Sequence, residues 1–128
     1  MFIYLFLFGN LIEPFEMIIK YKNKKINVRV KRASSLGKFT GLMFKSKNTE
    51  NLLFDFKNDI KMAIHSYFVF FPFLAVWVND KNEVLEWKVV EPFISIVKPK
   101  KPFRKLVEVP FNSANLGIID FFVGKRKV

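Results

Sequence analysis

Polar and apolar residues alternate on both sides of Asn23-Lys24. Ile19 and Tyr21 interleave with Lys20 and Lys22, and Ile26, Val28 and Val30 interleave with Asn27, Arg29 and Lys31. Period two is the pattern of a strand with one buried face. Two such runs around a short polar break predict a β-hairpin. One face of that hairpin is apolar and holds Tyr21; the other, with Lys20, Lys22, Asn27, Arg29 and Lys31, is a basic plate. Over 33–43 the alternation gives way to Ser34-Ser35 followed by Leu36, Phe39, Leu42 and Met43. That spacing predicts a short Ser-capped helix, held to two or three turns by Gly37 and Gly41. Strands are expected at 51–56, 62–70, 73–78, 83–90 and 105–109. Pro72 divides the apolar run 67–78, because proline cannot donate to a ladder. Turn formers fill 79–82. In the next strand Leu85, Trp87 and Val89 face in while Glu86 and Lys88 face out. Residues 92–102 read as a loop, and 113–122 as a helix stopped by Gly124. The expected fold is mainly β (β-rich α+β): a small barrel-like or strongly curved antiparallel sheet with one or two short helices.

Length and composition bound this picture. A chain of 128 residues supports one ordinary domain. With 51% hydrophobic residues it can bury enough apolar area to fold. The absence of cysteine excludes disulfides, thiolate metal sites and cysteine nucleophiles. Met17 opens a clean strand, so residues 1–16 are read as an apolar N-terminal extension and 17–128 as the domain. An upstream misread start is a further reading, and an interfacial anchor or a signal fits this segment less well. It falls short of the roughly 20 apolar residues a spanning helix needs, and it lacks the positive n-region of a signal peptide. No transmembrane helix is expected. The chain is expected in the cytoplasm, with residues 1–16 as its route to a membrane.

Charge changes the picture more than composition does. The net charge is +11. A genome biased toward A and T codons would enrich Lys, Asn, Phe and Ile and produce much of this without an anionic partner. The distribution is less easily explained in that way. From Lys20 to Lys47 there are ten basic residues and no acid. Basic clusters recur at 98–105 and 125–127, whereas 50–91 carries an acidic excess. Such asymmetry bears on partners, not on fold.

Several segments together resemble a known family. Gly41-Leu42-Met43-Phe44-Lys45 is followed by Leu52-Leu53-Phe54-Asp55-Phe56; Pro72 then enters an apolar strand ending in Asn79-Asp80, and Val107-Glu108-Val109 precedes a late glycine. In this order and spacing the chain is similar, over about residues 26 to 125, to domain of unknown function 192, also called uncharacterised protein family 0127. The resemblance implies a small β-rich, barrel-like domain with one or two short helices and no established activity. Most members carry something close to Trp-Met-Lys-Asn-Thr before the proline and Pro-Leu-Asp after it. Here those positions read His65-Ser66-Tyr67-Phe68-Val69, with Leu74 in place of the aspartate. If those polar residues mark a site, this chain has lost it or rebuilt it around His65 and Ser66. The Gly41 to Phe44 run is expected as a helix end packing on the barrel, with Lys45 left to face a ligand.

Candidate chemistry is sparse. His65 is the sole histidine and the one side chain whose ordinary pKa lies near neutrality. Asp55, Asp59, Glu86 and Ser66 are its candidate helpers, but no spacing identifies a triad. One histidine does not make a zinc site, and five glycines form no phosphate-cradling loop, so neither a metal nor a cofactor is expected. The leading expectation is a non-enzymatic binding module for an anionic partner, either nucleic acid or an anionic membrane surface, through Lys20, Lys22, Arg29, Lys31 and Lys45. The alternative is a small-ligand pocket or hydrolase-like site around His65.

Overall fold

The hairpin forms where the alternation places it. In the computed structural model, which describes residues 13–33, 41–94 and 96–124, β1 (Phe15–Tyr21) pairs antiparallel with β2 (Lys24–Arg32), Met17 opposite Val28 and Ile19 opposite Ile26. Residues 1–12, the 34–40 part of the expected first helix and the basic tail 125–128 lie outside the described residues. The turn is centred on Lys22 and Asn23, with φ of 50° and 64°, as a two-residue type I′ turn requires. That is one residue earlier than the expected break, and it moves Lys22 off the plate and into the turn.

The sheet continues in the order β1-β2-β3-β6-β4-β5, with β3 (Leu52–Ile60), β4 (Phe73–Val78), β5 (Val84–Val90) and β6 (Phe103–Pro110). It is not wholly antiparallel: β2 and β3 run parallel where Lys31 and Arg32 meet Leu52 and Leu53. The long connection between them gives the chain length for a crossover, which a parallel pair needs. The sheet curls until its edges meet, the Lys20 amide donating to the Asn82 carbonyl at 2.9 Å. The result is a mostly β, half-barrel fold with one short α-helix among the described residues.

Both faces of the central strands are covered. Inside the curl, Met17, Ile19, Val28, Leu53, Val76 and Val107 pack against Ile118, Ile119 and Phe122 of α1 (Leu116–Val123). Outside it, Leu52, Phe54, Phe73, Trp77, Phe103 and Leu106 form a second core beneath the loops, which contribute Ile64, Val69, Phe71 and Val97. Every residue of β4 is buried for this reason. Asn112 starts the helical segment by accepting from the Asn115 amide at 3.1 Å, and Gly124, at φ 94°, ends it. The buried Asn51 and Asn115 side chains exchange hydrogen bonds of 2.9 and 3.1 Å and reach the Arg29 and Pro110 carbonyls, tying the helix to β2 and β6.

Two expectations are corrected by local geometry. Residues 62–70 are not a strand, since only Ile64 makes a bridge, to Val97. The Ser66 backbone is bonded to Ile94 and Phe93, and its hydroxyl donates to the Glu91 carbonyl at 2.6 Å and accepts from the Ile94 amide at 2.7 Å. Backbone groups committed to a neighbouring loop are not available to a sheet. In β5, the register shifts between the Val78–Val84 and Trp77–Glu86 pairs. The extra residue turns Leu85 outward, 36% exposed, while Trp87 and Val89 still face the inner core.

This arrangement separates two leucines of β4 and β5. Leu74→Ala, in the inner core, should lower stability by about 2–5 kcal/mol in urea unfolding, and Leu85→Ala by under about 1 kcal/mol. Equal losses would contradict the bulge.

Candidate functional site

An acidic side chain is buried outside the curl, on β6. Glu108 lies opposite Leu52 on one side and Ala75 on the other, on the face that also carries Leu106. Ala75 is the smallest side chain of β4, and it leaves room beside the carboxyl. Glu108 is 5% exposed, and among the described residues its side chain has no hydrogen-bond or ion-pair partner. Burial disfavours the charged form and raises its pKa from 4.5 to about 8. Burial thus favours the protonated carboxyl.

A turn covers it. Gly41 has φ 50°, and a Cβ placed there would stand 3.3 Å from Glu108 Oε1 and 3.6 Å from Phe54 Cζ. Both the left-handed backbone and the closeness of the carboxyl call for glycine. Leu42 is buried beside it, and the Lys45 amide closes the turn on the Leu42 carbonyl at 3.2 Å. Between this turn, Phe54, Glu108 and the segment around Met62 and His65 lies a cavity of about 210 Å³.

His65 is exposed and contributes to that cavity, its Nδ1 accepting from the Tyr67 amide at 3.2 Å. Ser66 is fully buried, with its hydroxyl committed to loop carbonyl and amide groups. It is a staple between loops, and no nucleophile–base pair forms with His65. The other helpers are occupied elsewhere: Asp55 pairs with Arg32 at 3.6 Å, Asp59 with Arg104 at 3.2 Å, and Glu86 with Lys88 at 3.3 Å. Among the described residues no group of three His, Cys, Asp or Glu side chains could hold a metal ion.

The five basic candidates are all exposed but do not form one site. Lys20 and Lys22 stand at the hairpin turn, beside Glu83, and Lys20 faces Lys25 across the strands. Arg29 and Lys31 lie toward the other end of β2, where Arg29 faces Glu16. Segment 45–51 returns to that end, its Asn51 carbonyl accepting from the Lys31 amide at 2.8 Å. Lys45 precedes this returning segment in sequence, its amide held by the Leu42 carbonyl at 3.2 Å. Among the described residues none of Lys20, Lys25, Arg29, Lys31 and Lys45 forms an ion pair.

An aromatic cluster stands out that the sequence pattern does not announce. Phe44, expected to pack on the barrel, is 70% exposed; it stacks on Phe68 at 5.0 Å, and Phe93 meets Phe68 and the 61% exposed Phe70 edge-on. Phe44, Phe68 and Phe93 have φ of 60°, 58° and 61°. The left-handed region costs a bulky residue about 1 kcal/mol or more, so the fold holds these rings outward against strain. Exposed patches of this kind mark contact surfaces.

With the curled sheet, the Gly41 turn and its strand order established, the relatives can be placed. Residues 17–120 match the family described as Uncharacterized ACR, domain of unknown function 192. The chain belongs to that family. A protein of unknown function from Novosphingobium aromaticivorans DSM 12444 is similar in structure, with a TM-score of 0.67 at 17% identity over 82% of this chain and 79% of that one. A proposed transcription regulator from Sinorhizobium meliloti 1021 gives 0.65 at 15% identity over 76% and 79%. These likenesses concern the fold. No curated protein is significantly similar to the chain. Within this member of domain of unknown function 192, the glycine of the Gly-Leu-Met run stands over Glu108 and its leucine lines the cavity beside it.

The raised carboxyl fixes the sign of a pH effect. Between about 4.5 and 8 the folded state keeps a proton that the unfolded state releases. Stability should therefore be greatest below pH 4.5 as far as Glu108 is concerned, and fall by about 1 kcal/mol per pH unit up to about 8. Glu108→Gln should remove that slope, as read from unfolding midpoints across the range. Gly41→Ala should destabilise by about 1–2 kcal/mol through its backbone alone, measurable by the same unfolding experiment.

Proposed function

We propose that this protein is a non-enzymatic binding module for an anionic membrane surface. The observation that carries the reading is the pair of cations Arg29 and Lys31 toward the end of β2 away from the hairpin turn, neither in an ion pair among the described residues, together with Lys45 beside the exposed Phe44. Lys31, Leu52, Glu108 and Ala75 are successive partners across the sheet, which places Lys31 level with the start of β4. Phe70 lies just before that start, and Phe93 just after the Val90 that pairs with it. Cations and exposed phenylalanines thus share one end of the sheet, with Phe44 next to Lys45 in sequence.

The phenylalanines favour lipid over nucleic acid. A duplex binds through charge alone and would leave the rings in water, while an anionic bilayer offers headgroups to the cations and an acyl boundary to the rings. The protein would rest on the surface without spanning it: among the described residues no helix is long and apolar enough to cross a membrane.

Sedimentation with phosphatidylcholine vesicles, with and without phosphatidylserine, tests this. Binding should require phosphatidylserine and weaken with salt. Replacing Arg29, Lys31 and Lys45 by Ala should cost about 1 kcal/mol per cation, on the order of a hundredfold in affinity. A Lys20/Lys22 to Ala variant should change it little, and Phe44→Ser with Phe70→Ser should weaken it strongly. Absence of vesicle binding at low salt would sink the reading. Tight duplex binding reduced equally by both charge variants would give the nucleic-acid reading instead.

A further inference from the structure

The cavity under Gly41 is independent of any membrane contact, and its chemistry is specific. We propose that it is a binding site for a small uncharged ligand with an apolar body and a carbonyl or carboxamide head, the head accepting a hydrogen bond from the Glu108 carboxyl. Three observations lead there. The walls are apolar, with Leu42, Phe54, Phe73 and Leu106 among them, and Glu108 is the carboxyl they enclose. That carboxyl is 95% buried, has no protein partner among the described residues, and stands against the Gly41 backbone that forms the roof. At about 210 Å³ the space is adequate, since an apolar protein cavity of about 150 Å³ takes benzene.

The charges exclude the competing ligand classes. Among the described residues no Lys or Arg lines the cavity, so an anion would meet the carboxyl with none of them to neutralise it. A cation would have to ionise Glu108, whose burial favours the protonated form, and approach a protein of net charge +11. An uncharged acceptor meets neither penalty. His65 supplies a second donor at the exposed side. With Nδ1 accepting from the Tyr67 amide, the neutral ring carries its proton on Nε2. Two donors call for an acceptor head, and a carbonyl oxygen has two lone pairs.

Benzamide, benzylammonium and benzoate share one ring and differ in the head, so they serve as probes. Methyl resonances of Leu42, Met62, Val69 and Leu106 report occupancy. Benzamide should shift them with an affinity of roughly millimolar order, as expected for so small a ligand, while the two charged probes bind at least tenfold more weakly. Affinity for benzamide should fall as pH rises through about 8, where Glu108 ionises. Glu108→Gln keeps an uncharged hydrogen-bonding head and should retain binding while losing that pH dependence. Glu108→Leu should weaken binding at least tenfold, with amide spectra checking that both variants fold. Shifts with benzylammonium that strengthen as pH rises would overturn the proposal in favour of a cation site. No methyl shift with benzamide up to about 10 mM, ten times the expected dissociation constant, would overturn it in favour of a cavity that holds solvent alone.

Discussion

β6 lies between β3 and β4 with both faces covered, so every side chain from Leu106 to Val109 must do without bulk water. Leu106, Val107 and Val109 are apolar and satisfy the constraint at once: the two valines fill the curl, and Leu106 fills the outer core. Glu108 does not. Its position opposite Ala75 and beneath Gly41 gives the carboxyl a space, and desolvation then leaves it uncharged. Much of the outer face follows from this placement. The left-handed glycine, the roofing turn and the loops that close around the cavity all adjust to a carboxyl where a methyl group would have packed more simply.

The molecule therefore separates two kinds of surface. The inner core, with the Asn51 and Asn115 side chains that tie α1 to β2 and β6, makes a scaffold whose buried amides are satisfied. The outer side holds what the scaffold has no use for: strained, exposed phenylalanines on its loops and, among the described residues, strand cations without an ion pair and a buried acid on β6 without a partner. Residues whose cost is not recovered inside the fold are the ones to assign to contacts outside it.

The hairpin, β4 and α1 were legible because local pattern and final environment agree: alternation for one covered face, an unbroken apolar run for two, and Gly124 as a stop. The 62–70 segment was misleading, since its apolar residues suit a strand while Ser66 spends the backbone on the 91–97 loop. Leu85 departs from the alternation because a one-residue bulge reverses a face without any local sign. Glu108 was passed over for a deeper reason. Alternation assigns a charged residue to water, and only the long-range order of strands reveals that β6 is covered on both faces. The basic plate is exposed, as its alternation indicates, but its division between the two ends of the sheet depends on the register of β2 against β3, which no local pattern carries.

The protonation of Glu108 is the point on which the outer face and its cavity turn. A carbon-13 titration of its side-chain carboxyl in the intact protein measures this without reference to stability or ligand. The resonance should titrate with a midpoint near 8 and remain in the protonated position at neutral pH. A midpoint near 4.5, the ordinary value for a glutamate in water, would mean that solvent or a cation reaches the carboxyl, and would contradict both its desolvation and the site proposed beneath Gly41.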